Sequence, residues 1–104
     1  MAIFAIFSGK GITKKMYESL RPEANWEKNP PSGGLFHACA FDEKGDLRVA
    51  DVWESADAMN EFVSSRLMPA MKKLNIPAPS VEVFPLHNMN VYAAADGYRL
   101  GKPK

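Results

Sequence analysis

Apolar and polar positions along this chain alternate with two different periods, and turn residues separate the segments. Ala2-Ile3-Phe4-Ala5-Ile6-Phe7 is rich in β-branched and aromatic residues and runs into Ser8-Gly9-Lys10-Gly11. It reads as a strand apolar on both faces, which implies a central position in a sheet or two covered faces. Ile12, Met16, Tyr17 and Leu20 then recur at helical spacing behind Thr13, a candidate N-cap, and Pro22 predicts that this helix stops at Arg21. Residues 21–34, RPEANWEKNPPSGG, form the longest irregular stretch, because Pro30-Pro31 and Gly33-Gly34 fit no regular element. Trp26 lies within it, either pinning the loop to the body, as large aromatics commonly do, or serving as part of a pocket lid.

Residues 34–63, GLFHACAFDEKGDLRVADVWESADAMNEFV, organise the rest: strand, tight turn, strand, then a helix without pause. Asp42-Glu43-Lys44-Gly45 fits a type I turn with Gly45 in the left-handed position. That turn sets a register in which Phe41 faces Leu47, Cys39 faces Val49, His37 faces Asp51 and Leu35 faces Trp53, all on one face. Phe36, Ala38, Ala40, Ala50 and Val52 take the other face. Ser55 is the N-cap of the next helix, with Asp57 in its first turn. Met59, Phe62, Val63, Leu67, Ala70, Met71 and Leu74 form its core-facing stripe, and Pro69 predicts a kink or restart near Met68. Met59, Met68 and Met71 read as core filler. Asn75 and Pro77 end the helix. Residues 80–87 alternate as a last strand, in which Pro85 points to an edge or a strand end. Residues 89–104 are a tail, expected to be mobile unless it crosses onto a partner.

The order strand, helix, strand, strand, helix, strand gives an α+β, ferredoxin-like βαββαβ arrangement: a four-stranded antiparallel sheet with both helices on one face. The strands carry apolar residues on both faces, so the second face needs a cover from outside the helices. In a chain this short that cover is a second copy, a homodimer.

Composition changes this picture little. The 104 residues suit a single domain spanning 1–104, 46% are hydrophobic, and the net charge of +1 is mixed along the chain, so no nucleic-acid or membrane partner is expected. The longest apolar run is far short of the roughly 18 residues of a spanning helix, and no secretory leader is expected. One cysteine excludes an internal disulfide and a thiolate zinc cluster. A cytoplasmic location is the expectation.

The segment from GLFHACAF to NEFV, with PAMKKLNIPAPSVEVFPLHNM after it, resembles the dimeric α/β-barrel superfamily, in particular small antibiotic-biosynthesis-monooxygenase-like proteins. The "VWES" step into a capped helix and the strand-ending "VFPLHN" carry the likeness, which covers about residues 1 to 90. It implies two sheets packed face to face as a barrel, and a ligand pocket between sheet and helices or within the barrel. The chemistry it implies is cofactor-independent monooxygenation of a small aromatic or quinol-like compound. The residues themselves leave two alternatives open: a non-catalytic barrel holding a small apolar ligand, and a proton-transfer isomerase. Some superfamily members degrade haem through a histidine on the long helix; residues 56–74 contain none.

His37, Asp51 and Trp53 are the polar set that the hairpin register gathers on one face. A carboxylate opposite an imidazole fixes its tautomer and suits it to act as a general base; the plainer role is a buried pair that fixes strand register. His37 and Asp51 are therefore the candidate catalytic residues. Trp53, Phe41, Met59, His87 and Asn88 are the candidate substrate contacts, with Trp53 and Asn88 as donors. Cys39 has no basic neighbour in the hairpin and reads as an inert thiol. His37 and His87 lack metal-motif spacing, so neither a metal nor another cofactor is expected.

Overall fold

Alternation in the first strand decides the layering. Ile3, Ala5 and Phe7 are buried, while Phe4 and Ile6, pointing the opposite way, stay half-buried. The computed structural model, which describes residues 1–100, sets this strand, β1 (Ile3–Gly9), inside a four-stranded antiparallel sheet. The other strands are β2 (Gly34–Phe41), β3 (Leu47–Trp53) and β4 (Ser80–Pro85), in the spatial order β2-β3-β1-β4. With helices α1 (Lys14–Ala24), α2 (Ala56–Phe62) and α3 (Met68–Lys73), this is the ferredoxin-like order expected.

The register sorts residues into rows across the sheet. On the helix-covered face one row runs His37-Asp51-Ala5-Val83 and the next Cys39-Val49-Phe7-Val81. On the outer face the corresponding row is Phe36-Val52-Phe4-Phe84, followed by Ala38-Ala50-Ile6-Glu82 and Ala40-Arg48-Ser8-Ser80. The core lies on the helix side, where Tyr17, Leu20, Met59, Phe62, Ala70 and Met71 pack onto the inner row residues. Among the described residues no helix covers the outer face, and Phe36 and Phe84 remain 43% and 46% exposed.

The turn behaves as its sequence predicts. Asp42 N–H donates to Asp46 O at 2.9 Å, Gly45 N–H to Asp42 O at 2.9 Å, and Gly45 takes φ 82°. The three pairs nearest the turn hold, but Leu35 does not face Trp53. Gly34 does, and Leu35 bulges out, 46% exposed. The cause is the tight arrival of the preceding loop: a Cβ on Gly34 would lie 3.0 Å from Pro31 Cγ, so the strand enters the sheet through a glycine and absorbs one residue as a bulge.

Helix α1 also departs from expectation by running past Pro22 to Ala24. Its end is set by Asn25, which takes φ 58° and donates to Arg21 O at 2.8 Å. Arg66 then holds the carbonyls at the end of this helix and just beyond it. Its guanidinium donates to Ala24 O at 2.8 and 3.2 Å, to Asn25 O at 2.9 Å and to Asn29 O at 2.7 Å, and lies over the Phe62 ring. Arg66 can reach there because the long helix widens into a π turn over Val63–Leu67 before Pro69 and restarts at Met68. A wider turn relieves the clash of the Pro69 ring with the preceding carbonyls. Arg66→Met is expected to cost about 2 kcal/mol, since these bonds have a charged donor. Urea unfolding should show a lower midpoint at unchanged slope, with Arg66→Lys recovering less than half because lysine lacks the fork.

Strand β4 is an edge strand, as Pro85 requires. It ends at Pro85 instead of His87, with one further bond from Leu86 N–H to Ala2 O at 2.9 Å. Within the tail, Ala93–Tyr98 forms a 3-10 helix whose neighbours Val91, Tyr92 and Leu100 are exposed. The last four residues of the tail expectation lie outside the described residues. Among the described residues no helix is long and apolar enough to cross a membrane.

Candidate functional site

The hairpin brings His37 directly across from Asp51, and the two side chains meet. His37 Nδ1 lies 2.7 Å from Asp51 Oδ1, and Trp53 Nε1–H donates to Asp51 Oδ2 at 3.2 Å. Asp51 is 7% exposed, the single charged residue among the buried residues described. Its two oxygens are each claimed by one donor, which is how a buried carboxylate avoids an unpaired charge. Ala5, 0% exposed and next in the row, leaves room for this pairing beside the central strand.

The other imidazole nitrogen has a partner that the spacing of residues did not reveal. Tyr17 on α1 places its hydroxyl 2.8 Å from His37 Nε2. With the Nδ1 proton directed at Asp51, Nε2 is the acceptor and Tyr17 the donor. Burial, and then the neighbouring Cys39, push the Tyr17 hydroxyl above the ordinary phenol range, so it stays protonated. The result is a continuous chain from Tyr17 through His37 to Asp51 and Trp53, linking α1, β2 and β3. Tyr17 read as one more member of an apolar stripe. The available signal was its hydroxyl, because a tyrosine on a buried face needs a hydrogen-bond partner.

Aromatic rings enclose this chain. Phe41 meets the Tyr17 ring edge-on at 6.0 Å between centroids, and Trp26 lies 5.7 Å from Tyr17 and 5.5 Å from His37. The His37 side chain is still 36% exposed. Burial pushes the Cys39 thiol up, which leaves little thiolate and agrees with an inert role.

Of the remaining sequence candidates, Met59 is buried in the same core cluster as Trp53. Trp53 itself orients Asp51 with its one N–H, which is thereby taken from any ligand. His87 and Asn88 are exposed beyond the end of β4, at the opposite edge of the sheet from β2, so one chain does not bring them to His37. Two clefts open on the helix surface, one lined by Asn25, Asn29, Arg66 and Lys73 among others, one by Glu18, Arg21 and Glu27 among others. Neither reaches His37. Among the described residues no three His, Cys, Asp or Glu side chains converge to hold a metal ion.

No protein-family model matches this chain, and no curated protein does. Solved structures do. A conserved protein from Methanosarcina mazei Go1 superposes with a TM-score of 0.62 at 10% identity, covering 81% of this chain and 91% of that one. SnoaB, a cofactor-independent oxygenase from Streptomyces nogalater, gives 0.57 at 16%, covering 85% and 93%. A protein from Deinococcus radiodurans, provisionally assigned to the antibiotic biosynthesis monooxygenases, gives 0.56 at 17%, covering 89% and 100%. At these identities the likeness is one of fold, and it is the fold that the sequence resemblance implied.

Proposed function

We propose that this chain, which shares the fold of antibiotic-biosynthesis-monooxygenase-like proteins, works as a homodimeric, cofactor-independent monooxygenase on a small aromatic or quinol-like compound. The observation that carries the reading is the contact at His37 Nε2. Asp51 fixes the opposite nitrogen, and the free one holds a phenol hydroxyl, that of Tyr17, at 2.8 Å. A quinol presents the same group. When its hydroxyl takes the place of Tyr17, His37 receives the proton and the ring becomes an electron-rich oxyanion able to reduce oxygen. The balance closes without a cofactor: quinol and O2 give hydroxyquinone and water, the quinol supplying the electrons. Asp51 stabilises the imidazolium, and Phe41 supplies an apolar wall.

A second reading rests on the same bonds. Both imidazole nitrogens already have partners, so the network also suits a non-catalytic barrel in which His37 ties α1 to the hairpin. Oxygen uptake with a panel of quinols separates the two. Under the first reading the wild-type protein consumes oxygen and His37→Ala loses about a hundredfold or more of that rate. Uptake unchanged in His37→Ala removes the base. Product formation under nitrogen would instead indicate a proton-transfer isomerase.

A further inference from the structure

Trp26 belongs to neither a helix nor a strand, yet its ring lies across the Tyr17–His37 pair, tilted 43° to one ring and 51° to the other. It sits on residues 25–33, which begin at Asn25 with φ 58° and end at Gly33 with φ 81°. Between these two left-handed positions the segment is fastened by polar contacts at its margins. Arg21 forks onto Glu27 at 2.5 and 2.9 Å, and Arg66 donates to Asn29 O at 2.7 Å. The Arg21 and Glu27 side chains are each 26% exposed, so water competes for that latch. Trp26 is the one large apolar side chain on the segment, only partly buried, and among the described residues its indole N–H has no partner. Trp53 differs in both respects: it is 4% exposed and bonded to Asp51.

We propose that residues 25–33 are a strap that opens, and that Trp26 is a plug holding the place of the ligand. The ligand is then a flat aromatic of about indole size that takes the place the indole gives up beside the Tyr17–His37 pair. This rests on the reading of His37 as a ligand-facing base. It makes Trp26 a specificity-determining residue, because a ligand enters only by matching the shape and stacking that the indole gives up. It also lowers the apparent affinity of the wild-type protein by the fraction of time the strap is open.

The test uses 5-fluorotryptophan-labelled protein, 19F NMR and 2-naphthol as the probe, with Trp26→Phe to assign the resonances. On saturation the Trp26 resonance is expected to move towards the solvent-exposed position while that of Trp53 shifts less. Trp26→Ala is expected to bind 2-naphthol at least tenfold more tightly, since no plug competes. Should that variant not fold, Glu27→Gln loosens the latch alone and is expected to tighten binding severalfold. The proposal is overturned by naphthol binding with Trp26 unmoved, by no binding to the wild-type protein at millimolar probe, or by no gain in the folded variants. Binding that moves Trp26, with no oxygen uptake on any of the quinols, keeps the plug and removes the monooxygenase. Uptake with Trp26 unmoved does the reverse.

Discussion

Asp51→Ala lowers the stability of this protein by about 3 kcal/mol, and Asp51→Asn lowers it by no more than about 1 kcal/mol. The alanine variant removes the acceptor of both Trp53 Nε1–H and His37 Nδ1–H. Histidine, with 36% of its side chain exposed, can turn its proton to water, but Trp53 is 4% exposed and its N–H stays dry and unpaired. In a domain of this size the loss corresponds to a melting point lower by roughly 10–20 °C. Asparagine keeps every bond by reversing two of them. Its carbonyl oxygen accepts from Trp53 and its amide donates to His37 Nδ1, so the imidazole proton moves to Nε2 and donates to the Tyr17 oxygen. The network is satisfied, but the acceptor nitrogen is gone, and the wrong tautomer abolishes a base without unfolding it. Calorimetry of both variants beside oxygen uptake reads the difference. An asparagine variant as unstable as the alanine one would refute the reversed network; one that kept wild-type uptake would remove His37 as proton acceptor.

The parts of this fold that were legible are those governed by neighbours in the chain. The Asp42-Glu43-Lys44-Gly45 turn sets the pairing of His37 with Asp51, Ser55 starts α2 by accepting from Ala58 N–H at 3.0 Å, and Pro69 forces the break before Met68. What was not legible depends on partners distant in sequence. Pro22 is a helix breaker by every local rule, yet α1 runs through it to Ala24, whose carbonyl is taken by Arg66, 42 positions further on. Leu35 leaves the register because Pro31 crowds Gly34 from the loop. Tyr17 enters the site because α1 sets its side chain against His37 and Phe41 of β2, bringing together residues whose spacing carries no signature. Side-chain chemistry at His37 was visible in part, because its partner Asp51 lies within one hairpin.

Phe36→Lys combined with Phe84→Lys is expected to convert a dimer into a monomer at micromolar concentration, halving the mass by light scattering. Both residues sit at the ends of the outer row Phe36-Val52-Phe4-Phe84, which spans all four strands. The rows beyond it become polar through Glu82 and then Arg48, Ser8 and Ser80, so the apolar character is concentrated at one end of the face. A twofold axis near that row would set each copy's aromatics against the other's. Four strands about 5 Å apart and about 20 Å long present roughly 400 Å² of flat area, against about 800 Å² per partner in a standard interface. The sheet face alone therefore falls short, and a stable dimer needs further apolar surface; the tail residues Val91, Tyr92 and Leu100 are exposed. Lysine in place of both phenylalanines buries two like charges per copy in that contact, a penalty of several kcal/mol, while leaving each chain's helix-side core untouched. Circular dichroism should accordingly show a folded monomer. A wild-type protein already monomeric at micromolar concentration, or a double variant that stays dimeric, would place the interface elsewhere.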